Sequence, residues 1–192
     1  DGKLWVDRLG TGREWTGLTV CCHDAERIIK LVASGTGTEV NEATPMLSAE
    51  FPGSGSRFQG LLPPVVTAPV FTIRKKALMI FSLDDYVRQK ILNERQKEVL
   101  CRAVAGKKNI LVTGGTGSGK TTLVNAILDE IAQSGDRIVI IEDTLELQCS
   151  APDTVFLRAR EGVASMNDLL KATMRLRPDR IVVGEVRGGE AL

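Results

Sequence analysis

The length, composition and charge of the chain set the first limits. Of its 192 residues, 43% are hydrophobic, 26% charged and 4% aromatic, which excludes a disordered tail and permits a buried core. The 25 Lys and Arg residues and the 24 Asp and Glu residues leave a formal net charge of +1, which gives no general attraction for nucleic acids or anionic membranes. The four cysteines include no CxxC pair and indicate neither a disulfide framework nor a four-cysteine zinc site. No apolar run approaches the roughly 18 residues of a membrane-spanning helix. We therefore expect no transmembrane segment and no sequence-specific binding of nucleic acid.

The first part of the chain predicts a small α+β domain over residues 1–75. Its helix is expected over residues 24–33, with Asp24 as the N-cap and a stop in the Ser and Gly residues that follow. The Pro, Gly and Ser residues at 52–56 are typical of an exposed hairpin loop. Short β-like runs surround the helix, at residues 4–6, 47–51, 57–62 and 70–74.

The rest of the chain alternates between strand and helix patterns. We place a linker at residues 76–93, which include a helix start at 82–85, and a second domain at residues 94–192. This domain begins with an amphipathic helix over residues 94–105 that Gly106 ends. Continuous apolar runs between crossover helices are typical of buried parallel strands and predict an α/β fold. The expected strands are residues 109–113, 137–141, 155–157 and 181–183, and the expected helices are residues 120–133 and 166–176.

The strongest motif is a GxxxxGK[ST] sequence between an apolar strand pattern and an amphipathic helix. Glycines let successive backbone N–H groups turn toward a phosphate, and the N-terminus of the helix adds a partial positive charge. Lys120 is expected to neutralise the β- and γ-phosphates of a nucleotide such as ATP, and the Thr121 hydroxyl is expected to hold Mg²⁺. The predicted nucleotide-binding loop comprises Gly114, Gly115, Thr116, Gly117, Ser118, Gly119, Lys120, Thr121 and Thr122.

A phosphate-loop enzyme also needs an acidic group at the end of a neighbouring strand, where it orients the hydrated metal and the attacking water. Glu185 follows the apolar run at 181–183, and Glu142 with Asp143 follows the apolar run at 138–141. Either segment is also consistent with a solvated carboxylate at a strand end. The presence of the phosphate loop favours the catalytic interpretation of both.

An arginine that meets the γ-phosphate is expected as well, because phosphoryl transfer gains when a guanidinium faces the growing charge. Spacing alone does not select it, and each candidate is also consistent with a surface charge. His23 beside Cys21 and Cys22 allows a small metal site, but a packing or surface role is the simpler interpretation, and the aromatic residues are too few for a base-stacking platform. The candidate arginines are Arg57, Arg74, Arg158, Arg160, Arg175, Arg177, Arg180 and Arg187.

These motifs together resemble the type II/IV secretion ATPase family. The resemblance covers nearly the whole chain, and residues 169–187 are a very specific match. Within the family, residues 1–6 and 71–75 are most similar to the conjugal-transfer ATPases. The resemblance implies a RecA-like P-loop NTPase domain behind a small α+β N-terminal domain.

The resemblance also implies roles for individual residues. Residues 114–122 match the Walker A motif of the family, residues 142–146 its Asp box, and Gly184 with Glu185 its atypical Walker B motif. Arg57 and Arg74 fall where the family places N-terminal-domain arginines that reach the nucleotide phosphates. The implied assembly is a ring, usually a hexamer, on the cytoplasmic face of the inner membrane, in contact with the proteins of a type IV secretion channel.

The chain departs from the family pattern in two ways. The His box and the C-terminal helices of the family would follow Leu192, so we expect a piece of a longer protein whose ATPase domain is incomplete after Glu185. The zinc-binding tetracysteine of many type II members is missing, in keeping with the type IV branch. Without the His box, this chain by itself could bind nucleotide poorly or hydrolyse none.

The expected function is ATP hydrolysis coupled to domain movement. Lys120 and Thr121 would hold phosphates and metal, and Glu185 with Glu142 would position Mg²⁺ and water for in-line attack; which glutamate is the base stays open. Closure of the N-terminal domain would bring Arg57 and Arg74 to the γ-phosphate. The alternatives are another P-loop NTPase, such as a kinase or a DNA motor, and a scaffold that uses ATP for assembly without turnover.

Overall fold

The computed structural model describes residues 2–8, 11–76, 80–115, 117–160 and 162–186. The chain divides into two compact units, Asp1–Lys76 and Ala77–Leu192, which we call the N-terminal unit and the C-terminal unit. Within the described ranges, no helix is both long enough and apolar enough to span a membrane.

The N-terminal unit begins with an antiparallel hairpin of β1 (Lys3–Arg8) and β2 (Gly12–Thr19). Trp5 lies opposite Trp15 in this hairpin, and a cation covers each indole: Arg13 lies 5.0 Å from the ring centre of Trp5, and Lys3 lies 5.7 Å from that of Trp15. The strand over residues 4–6 is confirmed, whereas β2 was not predicted. Every residue of β2 is exposed, so this strand has no buried face that would give an alternating pattern.

Helix α1 (Cys22–Gly35) confirms the predicted helix with a different N-cap. Asp24 was expected to be the N-cap, but the structure gives this position to Cys21, whose sulfur accepts a hydrogen bond from the backbone N–H of Asp24 at 3.4 Å. Asp24 lies in the first turn, where a carboxylate interacts favourably with the helix dipole. The helix ends at Gly35, inside the predicted stop.

A three-stranded antiparallel sheet, in the order β3-β4-β5, packs its apolar face on α1. The core of this unit includes Ile29 of α1, Leu47 and Phe58, all of which are buried. The loop at residues 52–56 joins β3 to β4 as predicted, and the N–H of Phe51 donates to the carbonyl of Ser56 at 2.9 Å. The strands are β3 (Met46–Glu50), β4 (Arg57–Leu61) and β5 (Val70–Arg74), which confirm the predicted runs to within one residue.

Two capped helices open the described part of the C-terminal unit. Helix α2 (Leu83–Arg88) lies inside the segment predicted as a linker and starts where residues 82–85 indicated, with a capping box between Ser82 and Asp85. Helix α3 (Glu94–Ala105) matches its predicted bounds and ends at a Gly106 C-cap. Val104 of α3 is buried against the apolar face of the phosphate-loop helix, described next.

A parallel sheet in the order β7-β6-β8 forms the centre of this unit and confirms the α/β fold class. The whole of β6 (Ile138–Glu142) is buried between its two neighbours, β7 (Thr154–Arg158) and β8 (Arg180–Val183). Helix α4 (Lys120–Ala132) contributes Ile127, Leu128 and Ile131 to the core. Helix α5 (Met166–Thr173) ends three residues before its predicted bound, because Arg175 and Leu176 instead donate to the carbonyls three residues earlier.

The strand expected over residues 109–113 does not form. In the described part of the chain this segment pairs with no strand, and Ile110 and Leu111 are 39% and 86% exposed. An apolar run becomes a strand only where a neighbouring edge supplies partners for its N–H and C=O groups. Both edges of β6 are paired with β7 and β8, and in the described part of the chain residues 109–113 pair with neither outer edge of this sheet.

A cluster of ion pairs ties together the amino ends of this sheet. Asp136 accepts from Lys107 at 2.8 Å and from Arg180 at 2.6 Å, and Lys107 also lies 3.6 Å from Asp179. The backbone N–H of Arg137 donates to Asp179 at 3.0 Å. The cluster thus connects Lys107, two residues after the end of α3, with the starts of β6 and β8.

The hydrogen bonds from Lys107 and Arg180 hold the pKa of Asp136 well below its usual value. The unfolded chain therefore takes up this proton more readily, so the stabilisation is complete above about pH 4 and is lost as the pH falls further. We predict that Asp136→Asn lowers Tm at pH 7 and reduces the loss of Tm below pH 4, measured by circular dichroism. Asp84→Asn, which removes a more exposed carboxylate paired with Lys97, is the control and should change both quantities less. If Tm falls as steeply below pH 4 in Asp136→Asn as in the wild type, Asp136 is not the group that causes this loss of stability.

Candidate functional site

The predicted phosphate loop lies at the N-terminus of α4. Gly117 and Gly119 have φ angles of 73° and 88°, in the left-handed region that favours glycine, and Gly119 is the N-cap of α4. An added Cβ at Gly115, Gly117 or Gly119 would meet nothing within 4 Å. Thr116, a predicted loop residue, lies outside the described residues.

Lys120 already folds back over this loop. Its ammonium group donates to the carbonyls of Gly114 at 3.0 Å and Gly115 at 2.7 Å. The Ser118 hydroxyl fits against Gly114, where an added Cβ would come within 2.7 Å of Ser118 Oγ. The loop is therefore closed by its own side chains, with a positive charge held at its centre.

Thr121 connects the phosphate loop to the acidic segment that follows β6. Its hydroxyl donates to Glu146 Oε2 at 2.9 Å. Thr121 and Thr122 are both half-buried in the first turn of α4. Glu146 lay inside the predicted Asp box, but the sequence did not single it out, because only the fold brings residue 146 to residue 121.

Glu142 is the buried anchor of the acidic segment. It is 2% exposed at the carboxyl end of β6, and its Oε1 accepts from the backbone N–H groups of Glu146 and Leu147, both at 2.9 Å. Two backbone donors on one carboxylate oxygen stabilise the ionised form. This carboxylate therefore shapes the turn of residues 142–147.

Gly184 brings the two predicted acidic motifs into contact. Its N–H donates to the carbonyl of Ile141 at 2.9 Å, and an added Cβ would lie 2.8 Å from Glu142 Cγ and 3.2 Å from Glu142 Oε1. Glu185 follows directly and is half-buried. The carboxyl ends of β6 and β8 thus place Glu142 and Glu185 at the same edge of the sheet, as expected for parallel neighbours.

Asn125, which the sequence analysis missed, ties the acidic segment to α4. It is 4% exposed; its Oδ1 accepts from the N–H of Gln148 at 2.9 Å, and its Nδ2 donates to the carbonyl of Glu146 at 3.5 Å. The only signal in the sequence was a polar residue on the otherwise apolar face of a helix.

The two predicted phosphate-reaching arginines lie in the N-terminal unit. Arg57 of β4 is directly opposite Arg74 of β5 and also opposite Glu50 of β3, so the three side chains share one row on one face of the sheet. Like charges directly opposite each other are destabilising, and Glu50 offsets part of this repulsion.

The other candidate arginines differ in setting. Arg158 is half-buried, and its Nε donates to the carbonyl of Asp143 at 3.2 Å, next to the acidic segment. Arg180 belongs to the ion-pair cluster at the amino ends of the strands, away from the glutamates. Arg160, Arg175 and Arg177 are exposed, and Arg187 lies outside the described residues.

The exposed Cys21, Cys22 and His23 of the N-terminal unit do not form a metal site. Among the residues that the structure describes, no group of three or more His, Cys, Asp and Glu side chains is arranged to hold a metal ion. His23 lies 4.0 Å from Asp24 and is largely exposed, consistent with a surface role.

The site in the C-terminal unit therefore joins a cationic loop to several oxygen donors. Lys120 and the N-terminus of α4 provide positive charge for an anion. The Thr121 hydroxyl and the neighbouring carboxylates are hard oxygen donors of the kind that Mg²⁺ prefers, and Glu146 already lies within hydrogen-bond distance of Thr121. The residues present thus fit a phosphate group together with a magnesium ion.

We predict that Gly184→Ala disturbs this arrangement. The added Cβ must displace the Glu142 side chain, which weakens its two backbone hydrogen bonds and costs about 1–3 kcal/mol of unfolding free energy. Urea unfolding measures the cost, and faster amide exchange at Glu146 and Leu147 locates it. Gly35→Ala is the matched control, because a Cβ there meets nothing within 4 Å. Unchanged exchange at both amides in Gly184→Ala would show that the contact with Glu142 is not tight.

Known proteins similar to this chain agree with the predicted resemblance. The family described as "Type II/IV secretion system protein" matches residues 48–192. A probable conjugal transfer protein TrbB of Sinorhizobium fredii is 50% identical over the whole chain, and a conjugal transfer protein TrbB of Rhizobium radiobacter is 49% identical over the same extent. The chain spans 59% of the length of each of these relatives. The crystal structure of the VirB11 ATPase of the Brucella suis type IV secretion system, in complex with sulphate, is 31% identical over 99% of this chain and 65% of that chain, with a TM-score of 0.44. Because the family match covers well over half of the sequence, the chain belongs to the type II/IV secretion system protein family.

Proposed function

We propose that this chain forms the nucleotide-binding part of an ATPase that powers type IV secretion or conjugal transfer. The observation that carries the proposal is the junction of Lys120 and Thr121 with an acidic segment anchored by the buried Glu142. Membership of the family supports the same function. ATP is the proposed substrate, and Mg²⁺ is the proposed cofactor.

The loop residues 114–122 would bind the phosphates of ATP. In the structure, Lys120 donates to two loop carbonyls, and these bonds exchange for bonds to the β- and γ-phosphates. The bonds that Lys120 gives up are neutral acceptors, whereas phosphate oxygens are charged and form stronger hydrogen bonds. Thr121 is the proposed direct ligand of Mg²⁺, with Glu146 beside it, and Glu185 would hold the hydrated ion through its bound water. When bound, the ion neutralises phosphate charge and orients the attacking water.

The surroundings of the glutamates favour a division of roles. Glu142 is buried and engages two backbone N–H groups, so it is suited to positioning the segment rather than to exchanging protons with water. Glu185 follows β8 and is half-buried, so part of its surface is accessible to water. We therefore assign general-base catalysis to Glu185 and positioning to Glu142.

The remaining parts of the proposal extend beyond this site and rest on the family. Arg57 and Arg74, side by side in the N-terminal unit, would reach the γ-phosphate when that unit closes over the nucleotide. The intact protein would act as a homo-oligomeric ring, a hexamer, at the cytoplasmic face of the inner membrane. There it would pass the domain movement to the proteins of the secretion channel.

We predict that Lys120→Ala in the intact protein weakens ATP binding about 10- to 100-fold, because charge-assisted hydrogen bonds to phosphate are lost. Binding of a fluorescent ATP analogue measures this, and Lys171→Ala, an exposed lysine of α5, is the control. Full affinity in Lys120→Ala would refute the phosphate-loop assignment.

We predict that Glu185→Gln lowers the rate of phosphate release at least about 100-fold while ATP affinity stays within about threefold, because the amide cannot accept the proton of the attacking water. Phosphate release and analogue binding are measured on the same preparation. Glu98→Gln, at an exposed position of α3, is the matched control. Wild-type turnover in Glu185→Gln would reject the assigned base. Absence of turnover in the wild type itself, with ATP binding and ring assembly intact, would favour the scaffold alternative.

A further inference from the structure

We infer that Asn125 is a positioning residue that fixes the acidic segment 143–148 on the phosphate-loop helix and thereby sets the place of Glu146 beside Thr121. The inference rests on the proposed ATPase function for its consequence in turnover. Its structural part stands on the contacts of Asn125 alone.

Asn125 engages the acidic segment with both ends of its amide. Oδ1 accepts from the N–H of Gln148 at 2.9 Å, and Nδ2 lies 3.5 Å from the carbonyl oxygen of Glu146. An amide carries its acceptor and its donor on two separate atoms, so it can bond to two backbone groups of opposite polarity that lie apart. Both hydrogen bonds of Asn125 therefore go to the backbone of the segment and not to its side chains.

Burial makes this contact costly to omit. Asn125 is 4% exposed, and the residues that follow it on α4, Ala126, Ile127 and Leu128, are buried and apolar. A polar side chain at such a position is destabilising unless its hydrogen bonds are made. Packing alone would be served by leucine here, so the amide points to a polar task.

The task follows from the spacing along α4. Thr121 and Asn125 are four residues apart and lie on the same face of the helix, one turn from each other. Thr121 donates to the carboxylate of Glu146, and Asn125 contacts the carbonyl of Glu146 and the N–H of Gln148. Helix α4 thus contacts the segment through two polar side chains. Of these, Asn125 is not proposed to bind the metal or the nucleotide.

This arrangement predicts what happens when the Thr121 hydroxyl turns to Mg²⁺. Glu146 then loses its partner on Thr121, and Asn125 keeps the backbone of residue 146 within reach of the site. Without Asn125 the segment keeps its hydrogen bonds to Glu142 and Arg158, but it loses the polar contact that ties residues 146 and 148 to α4. The carboxylate of Glu146 would then be less well placed beside the metal, and a higher Mg²⁺ concentration would be needed.

The test compares Asn125→Leu and Asn125→Asp with the wild type in the intact protein. Asn125→Leu removes both hydrogen bonds and keeps the number and branching of the side-chain heavy atoms, whereas Asn125→Asp keeps the acceptor for Gln148 and loses the donor to Glu146. Thr173→Val is the matched control, because Thr173 is another fully buried polar residue, bonded to Leu170 within α5. All rates are measured well below the Tm of each variant.

The first readout needs no nucleotide. Amide exchange of Gln148 is expected to rise about tenfold or more in Asn125→Leu, to stay within about threefold in Asn125→Asp, and to stay unchanged in Thr173→Val. Unchanged exchange in Asn125→Leu would overturn the inference. If Asn125→Leu does not fold, Asn125→Asp decides the inference. A rise of about tenfold or more in the amide exchange of Gln148 would overturn the inference, and a rise within about threefold would support it.

The second readout is the Mg²⁺ concentration that gives half-maximal ATP hydrolysis. This concentration is expected to rise about tenfold in Asn125→Leu, with the KM for ATP changed less than about threefold. The reason is that residues which orient metal ligands without binding the metal affect mainly the metal affinity. An equal rise in Thr173→Val would show a general loss of stability instead and would overturn the positioning role. If the wild type hydrolyses no ATP, the proposed function is wrong. The amide exchange of Gln148 would still show whether Asn125 holds the segment.

Discussion

The site depends on one buried carboxylate. Glu142 ends the central strand of the parallel sheet, accepts two backbone hydrogen bonds from the segment that follows, and packs against Gly184 at the end of the next strand. Because a buried carboxylate is costly unless its hydrogen bonds are made, the turn at 142–147 and the end of β8 have little freedom to move apart. Glu185, which follows Gly184, and the start of the acidic segment take their positions from this arrangement.

The phosphate loop and the acidic segment are held by different means. Within the loop, the contacts are local: Lys120 bonds to carbonyls five and six residues earlier, and glycines supply the left-handed backbone. Between loop and segment, the contacts are long-range and polar, through Thr121 and Asn125. The local contacts keep the ammonium group of Lys120 at the loop, where phosphate oxygens can replace the two carbonyls as its acceptors. The long-range contacts couple the nucleotide to the sheet.

The sequence predicted what local pattern determines. The loop with Lys120 and Thr121 follows from glycine spacing, and β6 follows from its apolar run, because a strand buried on both faces needs no alternation. Sequence reasoning failed where tertiary structure decides. Strand β2 is exposed and has no apolar period. The apolar residues 109–113 join no strand of the described sheet, and Asn125 gains its role only when the fold brings residue 148 to it. The Cys21 cap was missed because sulfur is a weak acceptor.

The ion-pair cluster at Asp136 has a mechanical consequence. It joins the amino ends of β6 and β8, whereas the phosphate loop and the glutamates lie toward their carboxyl ends. At the carboxyl ends, Gly184 joins the same two strands again through its hydrogen bond to Ile141 and its contact with Glu142. The two strands are therefore tied together at both ends, so a force applied at either end is carried by the pair as one unit.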